Sequence, residues 1–208
     1  MSEEIETARY LRACRDPFWQ RVFAAELTYL RRHLRPRDQI LSIGCGPATI
    51  ESGLSELGFA VVGLDVSREA LARAPAGIRT VAAPAEKLPF ADAAFDVALF
   101  IVSLQFVEDY RQALSETVRV LRPGGRILVM LLNPASAFFK GKATAADSYV
   151  GKIRHTDLGL LEAAMAANFR VQSEYFLGIA GQRIFASNDP TTAALYVIRG
   201  DKKETTEP

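Results

Sequence analysis

The sequence predicts a doubly wound α/β fold, a mostly parallel sheet with helices on both faces. The first observation behind this is a strict alternation of short β-branched runs with amphipathic helical stretches. The second is the length of 208 residues, which suits one domain with a sizeable core better than two. Third, apolar residues make up 49% and charged residues 24% of the chain, the balance of a globular protein rather than a disordered one.

Residues 5–34 have a helical pattern broken near Asp16-Pro17. Phe18, Val22, Leu30 and Leu34 recur at helical intervals, and Arg31, Arg32 and His33 suit the negative helix end. Residues 39–43 read as the first strand. After the turn Gly44-Cys45-Gly46, a helix carries Ile50, Leu54 and Leu57 on one face until Gly58 stops it. A second strand over 60–64 follows, and Ser67 caps a short helix that ends by Pro75. Residues 79–82 and 95–102 are the third and fourth strands. A helix over 109–121 turns Ala113, Leu114, Thr117, Val118 and Leu121 inward and is closed by Pro123-Gly124-Gly125, before a fifth strand over 126–132. Residues 133–155 are irregular. The pattern resumes with a helix over 157–168, on which Leu158, Leu161 and Met165 share a side, and two further strands over 170–177 and 193–198. The expected organisation is one domain over 1–200, with an N-terminal helical cap (1–36), an acceptor-side lid (133–156) and a flexible tail (201–208).

Lysine plus arginine number 25 against 24 aspartate plus glutamate, so net charge argues for neither nucleic acid nor an anionic membrane as partner. No stretch approaches eighteen apolar residues, which predicts no membrane span, and the acidic start Met1-Ser2-Glu3-Glu4 does not read as a secretory signal. Cys14 and Cys45 are far apart, without a CxxC or Cys/His cluster, so neither a disulfide framework nor a metal site is expected and the cytoplasm is the expected location. The residues leave a homodimer open.

The chemistry concentrates in Leu41-Ser42-Ile43-Gly44-Cys45-Gly46-Pro47-Ala48-Thr49. Small residues between a strand and a helix let a ligand approach the backbone, and free N–H groups at the helix start favour its polar parts. About 20 residues on, strand two ends in Asp65, where an acid accepts hydrogen bonds from both ribose hydroxyls of an adenosine. A dinucleotide turn requires G-x-G-x-x-G, and its third glycine is Thr49 here, so a pyrophosphate grip fits less well than an adenosine cofactor without phosphates.

Five ordered segments extend this reading: Ile43-Gly44-Cys45-Gly46, Val62-Gly63-Leu64-Asp65-Val66-Ser67, Ala85-Glu86-Lys87-Leu88-Pro89-Phe90, Ala94-Phe95-Asp96-Val97 and Val118-Arg119-Val120-Leu121-Arg122-Pro123-Gly124-Gly125. In this order and spacing, residues 39–133 resemble the class I S-adenosylmethionine (SAM) dependent methyltransferases, in particular the small-molecule group called type 11. The resemblance implies a Rossmann-like, seven-stranded, mostly parallel sheet whose last strand is antiparallel. It also implies SAM as cofactor and a small-molecule acceptor as partner. It assigns Gly44, Cys45 and Gly46 to the methionine end, Asp65 to the ribose, Val66 to the adenine face, and Ala85, through its N–H and beside Glu86, to the adenine edge. Phe100 and Ile101 are expected to line the methionine by backbone and side chain. The Arg-Pro-Gly-Gly turn is structural. Three positions depart from the family pattern: Ser42 and Pro84 stand where acids are common, and Ala48 replaces a glycine. Proline offers the adenine amino group no acceptor, which predicts weaker SAM binding. These departures motivate an alternative, a methyltransferase-fold protein with a SAM-binding, regulatory or scaffolding role.

For transfer itself, in-line positioning of the nucleophile supplies most of the catalysis. His155, beside Tyr149, Lys152 and Arg154 in the irregular segment, is the candidate general base. Gln105, after strand four, is the candidate for orienting the acceptor. Phe138 and Phe139 are expected either to pack the lid or to cover an apolar substrate, and Tyr10 is expected to close over the cofactor. No nucleic-acid substrate is expected, since Asn133-Pro134 lies at the wrong strand for a base-methylating motif.

Overall fold

The computed structural model describes residues 12, 15–144 and 148–204. Tyr10 and Cys14 lie outside these. Helix α1 (Pro17–His33) starts where Asp16 accepts a hydrogen bond from the Phe18 N–H and Pro17 occupies the first turn, a position that needs no N–H. Then follow β1 (Gln39–Ile43), α2 (Thr49–Glu56), β2 (Ala60–Asp65), α3 (Arg68–Leu71), β3 (Arg79–Ala82) and β4 (Phe95–Ile101). A 3-10 turn (Leu104–Phe106), α4 (Tyr110–Val120), β5 (Leu121–Leu132), α5 (Ala137–Ala143), a second 3-10 turn (Tyr149–Lys152) and α6 (Leu158–Asn168) lead to β6 (Phe169–Ala180), β7 (Arg183–Phe185) and β8 (Ala193–Lys202). Ser67, Asp109 and Asp157 cap α3, α4 and α6 by accepting from backbone N–H groups three residues on. No helix among the described residues is long and apolar enough to cross a membrane.

The sheet order is β3-β2-β1-β4-β5-β8-β6-β7. Strands β1 to β5 are parallel, and β8 runs antiparallel between β5 and β6. The sheet therefore has eight strands rather than seven. The extra one is β7, which hairpins onto β6 around Gly181 (φ 58°), pairing Ala180 with Arg183. Strand β8 runs on through Asp201 and Lys202, and Lys203 donates to the Asn168 carbonyl, so the first residues of the expected tail belong to the sheet.

Strand β5 begins five residues earlier than expected. Leu121 pairs with Phe95 and Arg126 with Val97, so Arg122-Pro123-Gly124-Gly125 is an excursion within β5. Arg122 closes it by pairing with Asp96 at 2.7 Å, and Asp96 also accepts from the Gln39 N–H at the start of β1.

Two cores cover the sheet. On one face Phe18, Val22 and Leu30 of α1 and Ile50 and Leu54 of α2 meet Leu99, Leu128 and Val197. On the other, Ala113 and Leu114 of α4 and Leu161 and Met165 of α6 cover Ala98, Phe100 and Val129. Because β2 and β4 flank β1, the order reverses at β1, which opens a crevice at its carboxyl end, beside Ile43.

Candidate cofactor and active site

The turn after β1 is held from three sides. The N–H groups of Gly44 and Cys45 both donate to the Leu64 carbonyl, at 2.7 and 3.0 Å, and that of Gly46 to Asp65 Oδ2 at 2.7 Å. From β4's side, Ser103 Oγ donates to the Ile43 carbonyl at 2.6 Å. Gly44 (φ 77°) leaves no room for a side chain, since a Cβ would stand 2.4 Å from Ser103 Cβ. Ala48 holds a left-handed conformation (φ 58°) that favours glycine and is wholly buried. Within the turn itself, the N–H groups of Gly44, Cys45 and Gly46 are all spent inside the protein.

Asp65 closes β2 with both carboxylate oxygens fixed. Oδ2 takes the Gly46 N–H and Oδ1 the Ser67 N–H at 2.9 Å, leaving each with a lone pair for a ligand hydroxyl. Val66 beside it is 74% exposed, unusual for a strand-end valine and suited to a flat apolar ring. Ala85 is buried, and its N–H has no partner among the described residues. Glu86 instead faces α4: its Oε1 accepts from the Asp109 N–H and its carbonyl from Gln112.

Cys45 points away from the crevice, against Gly63 of β2. Burial, with Glu51 and Asp65 nearby, pushes its thiol pKa up, so it is no nucleophile. Phe100 also departs from expectation. Its side chain is wholly buried in the core beneath α4, so only its backbone can face a ligand, while Ile101 packs toward the α1 side.

Residues 41–129 match the family model described as a methyltransferase domain. The chain is 35% identical over 137 residues to the demethylmenaquinone methyltransferase of Mycobacterium marinum, covering 65% of this chain and 56% of that protein. It is likewise 35% identical over 116 residues to the malonyl-[acyl-carrier protein] O-methyltransferase of Pseudescherichia vulneris, covering 54% and 46%. The chain thus spans about half the length of these curated relatives. Among solved structures, a Thermotoga maritima SAM-dependent methyltransferase, described as a possible histamine N-methyltransferase, superposes with a TM-score of 0.79. That likeness covers 96% of this chain and 97% of that one at 24% identity, a likeness of fold.

The residues at the crevice fit S-adenosylmethionine, the cofactor that the sequence resemblance implies. The paired oxygens of Asp65, the exposed Val66 and the orphan N–H of Ala85 suit a nucleoside. A turn whose own N–H groups are spent, beside the carboxylate of Asp65, suits the cationic amino-acid end better than a pyrophosphate, which needs donors.

The two residues singled out for the acceptor separate. Gln105 is wholly buried, and its amide clamps backbone: Nε2 donates to the carbonyls of Leu132 (3.1 Å) and His155 (3.3 Å), and Oε1 accepts from the Leu132 N–H at 2.7 Å. With both N–H donors spent, it ties the end of β5 to the segment carrying His155 and has none left to orient an acceptor. His155 lies against α4, its ring edge-on to Tyr110, in a cavity of about 220 Å³ shared with Asp157 and Leu160. Its Nε2 donates to the Val107 carbonyl at 2.9 Å, which leaves Nδ1 as the acceptor in the neutral ring.

Two acids escaped the reading of the sequence. Glu26 is 4% exposed, with no hydrogen bond or ion pair among the described residues. Burial pushes its pKa up to about 8, and that of Tyr149 is raised by burial first and by the nearby Glu26 second. The signal was present: Phe18, Val22, Glu26 and Leu30 form one i, i+4 row, and an acid in an apolar row is a buried acid. Glu51, under the turn, gave no such signal, because an acid in a helix's first turn ordinarily serves the helix dipole.

Proposed function

We propose that the chain transfers a methyl group from SAM to a small-molecule acceptor with an apolar, ring-bearing body. The carrying observation is the junction of glycine turn and Asp65, a fixed carboxylate beside a turn with no donors to spare. Bound there, SAM supplies a methyl on a sulfonium, which passes to a nucleophile placed in line with the departing sulfur. The protein's work is then positioning and exclusion of water.

An aromatic wall supports this acceptor class. Trp19 of α1 meets Phe138 of α5 edge-on with centroids 6.1 Å apart, and Phe106, just after β4, stacks on Tyr149 at 6.5 Å. Such a wall receives a flat apolar body better than a charged one. For an acceptor that must lose a proton, His155 offers Nδ1, and Glu26 offers a carboxyl on the side of Tyr149.

The test incubates the purified protein with methyl-labelled SAM and, separately, the reduced form of demethylmenaquinone, malonyl-[acyl-carrier protein] and histamine, followed by a metabolite extract. Label is expected in an apolar ring-bearing product identified by mass, and the quinol is expected to outrun the other two by about tenfold or more, the selectivity of one well-fitted apolar group. Label confined to charged acceptors contradicts the acceptor class. SAM binding without label in any product favours the regulatory or scaffolding alternative.

A further inference from the structure

The crevice holds a carboxyl that the cofactor fit does not explain. Glu51, third residue of α2, is 2% exposed and lies under the glycine turn, where Ser42 Oγ of β1, itself 1% exposed, donates to its Oε1 at 2.5 Å. The titratable groups facing it are Cys45 in the turn and Asp65 at the end of β2. From α1, apolar Leu27 packs on Gly53 of the same helix. Among the described residues no arginine or lysine pairs with Glu51. Two carboxylates thus share one small region with no cation between them, and full ionisation of both is opposed by burial and by like-charge repulsion.

We propose that Glu51 is a positioning residue for the cationic amino-acid end of the cofactor, a carboxyl held by Ser42 that gives up its proton when that positive charge arrives. The proposal rests on the SAM reading. The arriving ammonium, which SAM shares with its demethylated product, supplies the counter-charge that the protein omits, and the proton of the Glu51 carboxyl leaves to solvent. Burial, the largest influence, and the nearby Asp65 raise the Glu51 pKa, against the lowering effect of Ser42, to about 7 in the free protein, so the coupling falls in the neutral range.

The test is calorimetry of S-adenosylhomocysteine (SAH) and, separately, of adenosine, between pH 6 and 8 in buffers of low and high ionisation enthalpy. SAH keeps the amino-acid end, and adenosine lacks it. Wild type is expected to release about half a proton per SAH bound at pH 7, and its SAH affinity to rise up to about tenfold from pH 6 to 8. In Glu51→Gln both effects vanish and SAH affinity at pH 8 falls about tenfold, while adenosine binding is unchanged. Ser42→Ala, which removes the donor that favours the carboxylate, moves the midpoint of the SAH profile to higher pH. SAH binding without proton release, and with equal affinity in Glu51→Gln, overturns this proposal alone. No SAH binding to the wild type overturns the cofactor reading and this proposal with it.

Discussion

Gly44→Ala is expected to cost the fold about 3–6 kcal/mol and to abolish SAH binding. Three terms add. At φ 77° an alanine pays about 1–2 kcal/mol for left-handed backbone. Its Cβ would stand 2.4 Å from Ser103 Cβ, a contact that only backbone movement relieves, and such overpacking costs about 1–3 kcal/mol. Moving Ser103 also breaks its hydrogen bond to the Ile43 carbonyl, worth about 1 kcal/mol. At about 2–4 °C per kcal/mol, the midpoint of thermal unfolding falls by roughly 10 °C. Gly58→Ala is the control: its φ of 87° brings the strain, but nothing lies within 4 Å of the added Cβ. It should fall by only a few degrees and bind SAH normally. If the two variants unfold at the same temperature, close packing of the turn against Ser103 is not what requires glycine at position 44.

Glu26→Met is expected to stabilise the protein, increasingly so as the pH rises. The folded-state pKa of Glu26 lies near 8, above the ordinary 4.5, because burial disfavours the carboxylate. The native state therefore binds the proton more tightly than the unfolded chain. Its contribution is fully present below about pH 4.5 and is lost as pH rises through about 8. Methionine fills a similar volume and does not titrate, so the gap between variant and wild type should widen by up to about 1.4 kcal/mol per pH unit across that window. Between pH 5 and 9 the gap grows by a few kcal/mol, about 10 °C in unfolding temperature. Some slope below pH 7 survives in the variant, because Glu51 titrates in the same sense. A constant gap across this range would mean that Glu26 is solvated or paired. Natural chains retain an unpaired buried acid where function uses it, and this one borders the aromatic wall.

Much of the parallel half of the sheet was legible because strands, caps and turns there are set by local chemistry. Ser67 caps where the sequence places it, and Asp109 and Asp157, read as helix starts, prove to be the caps of α4 and α6. The eighth strand was not legible: Arg183-Ile184-Phe185 is too short to show a period, and it forms only because Gly181 lets the chain turn back on β6. Phe100 illustrates a second limit. Strand β4 is covered on both faces, so every residue from Val97 to Phe100 is apolar and alternation cannot say which points to a ligand. Gln105 illustrates a third, since a polar residue near a crevice mouth reads as functional until the backbone groups it satisfies, 27 residues away at Leu132, are seen. The place of Asp65 beside the glycine turn was legible because it depends on two features readable in line, the end of a strand and the distance from that turn.

The account turns on Asp65 as the residue that holds both the ribose and the turn, and titration of SAH into wild type and Asp65→Ala by calorimetry tests it most directly. Wild type is expected to bind one SAH with micromolar affinity, about −8 kcal/mol. The variant loses two charge-assisted hydrogen bonds to ligand, at about 1.5–3 kcal/mol each, and frees the N–H groups of Gly46 and Ser67. Its affinity should fall at least about 100-fold, with folding verified by circular dichroism. Equal affinity in the folded variant would contradict the assignment.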